Sequence, residues 1–168
     1  MLFRWGWLAI IFSMLLLSGC GSTKSYHYEY RKGRTATVNN GVATAPPRAP
    51  RTVHEAIAAG NRIAGRSYQR GGGHGQSESQ GYDCSGAVSY VLSSAGLMRG
   101  STTSQGFRKF GKKGSGKWIT VYAKSGHVFL VVAGLRFDTG WTGGQEGPQW
   151  TTKSRPAKGY VERHPSGL

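Results

Sequence analysis

Apolar residues recur at helical spacing between residues 53 and 95, and from residue 118 the pattern switches to strand-like alternation and a continuous apolar run. One kind of element cannot satisfy both rhythms. Helical side chains share a face every third or fourth residue, strand side chains every second. Val53, Ala56, Ile57 and Ala64, with Ile63 on the flank, outline a first helix; Thr52 and Glu55 open it at capping-box spacing and Gly65 ends it. Ala87, Val88, Val91, Leu92 and Ala95 outline a second helix that starts near Cys84, with Gly96 placed to close it. After residue 118 the pattern changes. Trp118–Ala123 alternates, His127–Ala133 is a strongly apolar strand, and Ala133-Gly134 can turn the chain into Leu135–Asp138 as an antiparallel neighbour. Tyr160–Arg163 reads as a last short strand. Helices first and a sheet after them predict an α+β domain, its N-terminal helices packed on a small antiparallel β-sheet.

That domain is expected over residues 52–168. Ahead of it, 20–51 reads as a flexible linker, rich in Gly, Ser, Thr, Pro and basic residues and stiffened near Pro46-Pro47-Arg48-Ala49-Pro50. Tyr26, Tyr28 and Tyr30 alternate there and are assigned to the tether. Residues 1–19 read as a secretory signal. Arg4 precedes an apolar run, Trp5–Leu17, shorter than the ~20 residues a membrane span needs. The loop Gly71-Gly72-Gly73-His74-Gly75 lacks the Gly-Lys-Ser/Thr ending of a phosphate-binding loop and is read as a plain connection.

Charge narrows the partners. With 22 Lys and Arg against 7 Asp and Glu, the chain carries a formal +15 at neutral pH and suits polyanions such as anionic lipid or an anionic wall polymer. Zinc-finger spacing, an arginine-rich helix and RNA-binding aromatic motifs are all missing, so nucleic acid is not expected. His27, His54, His74 and His164 have no metal-ligand spacing, so neither metal nor cofactor is expected. Trp141 and Trp150 are read as covering the sheet.

The chemistry centres on Gly81-Tyr82-Asp83-Cys84-Ser85-Gly86. A cysteine in the first turn of a helix meets unpaired N–H groups and the positive end of the helix dipole, which favour the thiolate. A thiolate attacks acyl carbonyls, and a histidine beside it can hold the proton and return it to the leaving amine. His127, after Ser125-Gly126 at the head of the apolar strand, is the candidate.

Two resemblances follow from these residues. Leu17-Ser18-Gly19-Cys20 resembles the lipobox of bacterial lipoproteins, which implies lipidation of Cys20 and a lipid anchor in the cell envelope. Gly21, where an aspartate would imply retention at the inner membrane, points to the outer membrane facing the periplasm in a Gram-negative cell. Asp83-Cys84-Ser85-Gly86 before an amphipathic helix, followed by Gly126-His127-Val128 on an apolar strand, resembles the NlpC/P60 family of cell-wall cysteine peptidases. Tyr68 with Gly71-Gly72, and Thr102-Thr103-Ser104-Gln105, are similar to further family motifs. The resemblance implies a papain-like core with Cys84 as nucleophile and His127 as general base and then acid. Tyr68 would lie at the substrate cleft, and Asp83 and Ser85 would shape the turn and the substrate-binding edge. The implied reaction is cleavage of a peptidoglycan stem-peptide amide, such as that between γ-D-glutamyl and a diamino acid. The alternatives are a wall-binding module with a degenerate site, and an acyltransferase or amidase on another envelope substrate.

The sequence departs from the family twice. Lys117–Ala123 stands where Pro-Gly-Asp-Leu is usual. Family members also carry a polar residue on the next strand that orients the histidine. Aligning Phe137 with the family's aromatic puts Thr139 there, beside Asp138. Aspartate is the better orienting group, but a bulge near Gly140 would be needed to turn it inward. Asp138, Thr139 or neither remains open as the third residue.

Overall fold

The computed structural model describes residues 24–75 and 77–168, so the expected signal at 1–19 and the lipidation site Cys20 lie outside the described residues. The elements in chain order are β1 (Ser25–Tyr26), β2 (Thr37–Asn39), β3 (Val42–Thr44), α1 (Arg51–Ile63), β4 (Ser67–Tyr68), β5 (Gly81–Tyr82), α2 (Cys84–Ser94), α3 (Ser104–Phe107), β6 (Lys112–Lys113), β7 (Ile119–Lys124), β8 (His127–Val132), β9 (Leu135–Asp138), β10 (Gln149–Thr151), β11 (Arg155–Pro156) and β12 (Val161–His164). Six of the strands form one sheet in the order β10-β9-β8-β7-β12-β6, every pairing antiparallel. The fold is thus mixed helix and strand, with the helices ahead of the main sheet in sequence.

The hairpin β8–β9 sets the geometry of everything near its open end. Ala133 and Gly134 form a two-residue turn with φ of 47° and 77°. Two positive φ values give the tight turn whose twist matches that of antiparallel strands. Val132 then pairs with Leu135, Val131 with Arg136 and Leu130 with Phe137. Odd residues of β8 therefore share a face with even residues of β9.

Each face of the sheet has its own cover. Val128, Leu130, Val132, Leu135 and Phe137 meet Val53, Ala56 and Ile57 of α1 and Val88, Val91 and Leu92 of α2 in the main core. The helix α2 ends as expected, with Gly96 at φ 70° and the paired bonds Gly96 N–H to Ser93 O (3.0 Å) and Leu97 N–H to Leu92 O (2.8 Å) of a Schellman close. On the other face Tyr26, Phe129, Ala157 and Tyr160 form a second buried cluster, with Tyr28, Tyr122 and Val131 packed against it. Trp150 is buried against Phe137 and α1, covering the sheet as read from the sequence. Among the described residues no helix is long and apolar enough to cross a membrane.

Two local expectations change. The capping box of α1 does not form. The helix starts two residues earlier, behind Pro50, whose φ of −55° already suits helix entry, and no side chain caps it. Glu55 instead accepts from Arg51 Nε at 2.7 Å, an (i, i+4) pair. The larger change concerns the tether. Residues 24–50 are not a free linker but part of the folded body. β1 pairs with β11, matching Tyr26 with Arg155, and β2 pairs with β3. Tyr26 is 5% exposed, and its hydroxyl donates to Gly134 O at 2.8 Å. Ala36 is fully buried, and its N–H donates to Ala133 O at 2.8 Å. The exposed aromatic face of the sheet supplies the reason: Phe129 and Tyr160 would stand in water without this segment, and aromatic burial offsets the entropy of ordering it.

If residues 24–36 act as a structural cover, Tyr26→Ala should lower the unfolding free energy by about 3 kcal/mol, as for other buried aromatics cut to alanine. Urea denaturation measures it, and a tether residue would give no change.

Candidate active site

Cys84 is the first residue of α2, and Asp83 is its N-cap. The Asp83 carboxylate accepts from Gly86 N–H at 2.7 Å, from Gly71 N–H at 3.0 Å and from the Ser85 hydroxyl at 3.0 Å. The Asp83 N–H in turn donates to Gly72 O at 3.2 Å. The glycine loop is therefore the seat of the helix start. A Cβ on Gly72 would lie 2.5 Å from Gly81 O, and one on Gly86 would collide with Gly72 O. Only bare backbone lets loop and helix approach this closely.

Across from the helix start stands His127, the first residue of β8, with 17% of its side chain exposed. Its Nε2–H donates to Asp138 Oδ1 at 2.9 Å, and an interaction with the Cys84 side chain helps to raise its pKa. Asp138 needs no bulge to reach this place. The hairpin register puts Arg136 and Asp138 on the face of His127, Phe129 and Val131. Asp138, not Thr139, is the partner of the imidazole; Thr139 is buried and lines the cleft beside it.

The Asp138 side chain is fully buried beside one imidazole and two guanidinium groups. Besides His127, Arg155 Nη1 donates to Oδ2 at 2.8 Å, and Arg136 Nη1 lies 3.5 Å from the same oxygen. Burial alone would pull the His127 pKa down. The hydrogen bonds with Asp138 and Cys84 and the Asp138 charge outweigh burial and the opposing Arg155 charge, so the pKa stands above its usual 6.5. Arg136 is buried completely, which lowers its pKa, while the Asp138 charge acts against that fall.

A cleft of about 160 Å3 opens beside the imidazole, lined by Tyr68, His127, Thr139, Arg155 and the glycine-rich turn from Gly140 to Gln145. Tyr68 has its phenol pKa raised by partial burial and by the Cys84 and Asp83 groups, and it lines the cleft with His127. The Cys84 N–H, first in its helix, has no intrahelical acceptor and can donate to an oxyanion formed at the sulfur. Asp83 and Ser85 point elsewhere. They meet His74, whose Nε2 lies 3.1 and 3.2 Å from the Asp83 oxygens and 3.3 Å from the Ser85 hydroxyl. With the direct bond from Ser85 to Asp83, these contacts clamp the cap. Among the described residues no group of three His, Cys, Asp or Glu side chains is gathered that could hold a metal ion.

The sequence reading missed His74, Arg136 and Arg155. Arg136 carried a signal, since a charge inside the apolar strand Leu135–Asp138 must find a buried partner. Arg155 carried none, because its position depends on the pairing with β1.

Gly86→Ala tests the close approach of loop and helix. Alanine normally stabilises a helical position by up to ~1 kcal/mol over glycine, but here overpacking should cost about 2 kcal/mol net. Thermal melts give the sign. Asp138→Asn should lower the His127 pKa, followed by NMR titration of the imidazole. The sign for stability follows from linkage. A histidine pKa raised on folding contributes stability that is fully present below the usual 6.5 and is lost as pH rises through the raised value. The variant should lose that part of the pH dependence in urea titrations. No protein-family model and no curated protein matches this chain.

Proposed function

We infer that the protein is a cysteine peptidase of the cell envelope that cleaves an amide of the peptidoglycan stem peptide. The observation that carries this reading is the Cys84–His127–Asp138 chain of contacts at a helix start, beside an open cleft. A thiol on a helix packed against an antiparallel sheet that carries the histidine is also the arrangement expected of a papain-like NlpC/P60 core. The wall substrate comes from the motif resemblance and from the export signal.

In the proposed reaction the Cys84 thiolate adds to the amide carbonyl, and the oxyanion takes a hydrogen bond from the Cys84 N–H. His127, protonated, gives its proton to the amine as the C–N bond breaks, leaving a thioester on Cys84. Water then adds to the thioester while His127 removes its proton. The C–S bond breaks, the acid leaves and the thiolate–imidazolium pair is restored. Asp138 holds the imidazole in one tautomer and balances its charge. Cys20 would carry the lipid that keeps the enzyme at the membrane.

Cys84→Ser and His127→Ala should each lower the release of stem-peptide fragments from purified peptidoglycan by at least about a thousandfold, from the known scale for loss of an activated nucleophile or its base. Mass spectrometry of the soluble products reads both the rate and the bond. Full activity in both variants would sink the assignment, and absence of cleavage by the wild type would favour a binding module.

A further inference from the structure

A second cleft, of about 610 Å3, lies between the turn at 31–34, the Pro47-Arg48 stretch and the start of β7. Lys32, Arg34, Arg48 and Lys117 rim it, all exposed, and Trp118 forms one wall. Trp118 packs its inner side on the main core and leaves the rest to the cleft. None of these four cations has an acidic partner among the described residues. Six of the chain's 7 acidic residues are already paired with other cations: Glu29 with Arg31, Glu55 with Arg51, Glu78 with Arg62, Asp83 with His74, Asp138 with His127 and Glu162 with Lys24.

Four like charges around one concavity repel one another unless an anion joins them. The fold nevertheless holds them there. Arg31 N–H donates to the Thr35 hydroxyl at 3.0 Å, Arg34 N–H to Arg31 O at 3.0 Å, and Ala133 N–H to Trp118 O at 2.6 Å. This end of the sheet is not the catalytic end. Trp118 neighbours the β8–β9 turn, and His127 stands five residues away along β8, ~17 Å in strand rise.

The geometry points to this cleft as a docking site for the acidic phospholipid headgroups of a bilayer. The charge and the tryptophan suit that surface, where basic side chains meet phosphate and indole rings settle at the interface. Chain continuity selects the bilayer over other polyanions. Three of the four cations belong to the segment that follows Cys20, and the four residue steps from Cys20 to Lys24 span at most ~14 Å. A lipid on Cys20 brings this segment to the headgroups, and basic groups there add the second attachment signal that acyl chains exploit. The inference rests on the lipid-anchor reading of Cys20.

The test uses the chain from residue 20 onward with Cys20→Ser, which keeps every described residue and carries no lipid. It should co-sediment with vesicles of phosphatidylcholine and phosphatidylglycerol, not with phosphatidylcholine alone, and the Trp118 emission should shift to the blue. Lys32→Ala with Arg48→Ala should weaken that binding more than tenfold, at about fivefold per cation near an anionic surface. The control pair Lys112→Ala and Lys113→Ala, on the exposed edge strand β6, removes the same charge and should leave binding nearly unchanged. Equal losses in the two pairs would overturn the cleft as the site. Tighter binding to soluble poly(glycerol phosphate) than to vesicles would overturn the bilayer as its occupant. Fatty-acid labelling of the full chain against Cys20→Ala judges the anchor separately: unlabelled wild type would end the anchor reading, and the vesicle measurement would still decide the cleft.

Discussion

A single buried carboxylate, Asp138, holds the cleft end of the sheet together. It takes a hydrogen bond from His127 on β8, pairs with Arg136 on its own strand and takes a second bond from Arg155 on β11. Arg155 also donates to Gly140 O at 3.1 Å, so the same cluster fixes the glycine-rich turn that lines the cleft. A carboxylate without exposure must be matched by nearby positive charge, and two guanidinium groups supply more than one imidazole could. The orientation of the imidazole and the closure of that sheet edge therefore rest on one electrostatic centre. A neutral residue at Asp138 would leave two arginines facing each other without their counter-charge, so the imidazole would lose its partner and the fold would lose stability.

The register of β8 and β9 decides whether Asp138 can occupy that place, and it was legible in the sequence. The turn at Ala133-Gly134 was visible, and a two-residue turn makes Val132 pair with Leu135. Counting outward from that pair puts odd positions of one strand opposite even positions of the other, which groups His127 with Asp138. Lining up Phe137 with a family aromatic pointed to Thr139 instead. That route ignored the constraint the turn itself imposes: a shift of one residue moves every side chain to the opposite face. The helix α2 was legible for a similar reason, since its apolar face, its N-cap Asp83 and its closing Gly96 agree with one another.

The N-terminal segment was not legible, and the cause is physical. A strand of two residues, Ser25–Tyr26, has no period to detect. The cover works through separate aromatic rings and a few backbone bonds rather than through a continuous apolar stripe, and its Pro and basic residues give it the composition of a linker. Arg155 was hidden by the same fact. The strand β11 is short and exists through its pairing with β1, so a reading that frees the first segment also loses the arginine that completes the site.

That connection bears on reach. A free tether from Cys20 to the domain would let a lipid-anchored enzyme search far from the bilayer, because extended chain adds ~3.5 Å per residue. With Tyr26 matched to Arg155 and Ala157 N–H donating to Lys24 O at 2.8 Å, the chain from Lys24 onward adds no free length. An anchor at Cys20 would then hold the body against the membrane rather than offer it to distant wall. The substrate would have to be peptide that passes close to the bilayer. The residue that completes the carboxylate cluster and the residues that set the working distance thus belong to one pair of short strands.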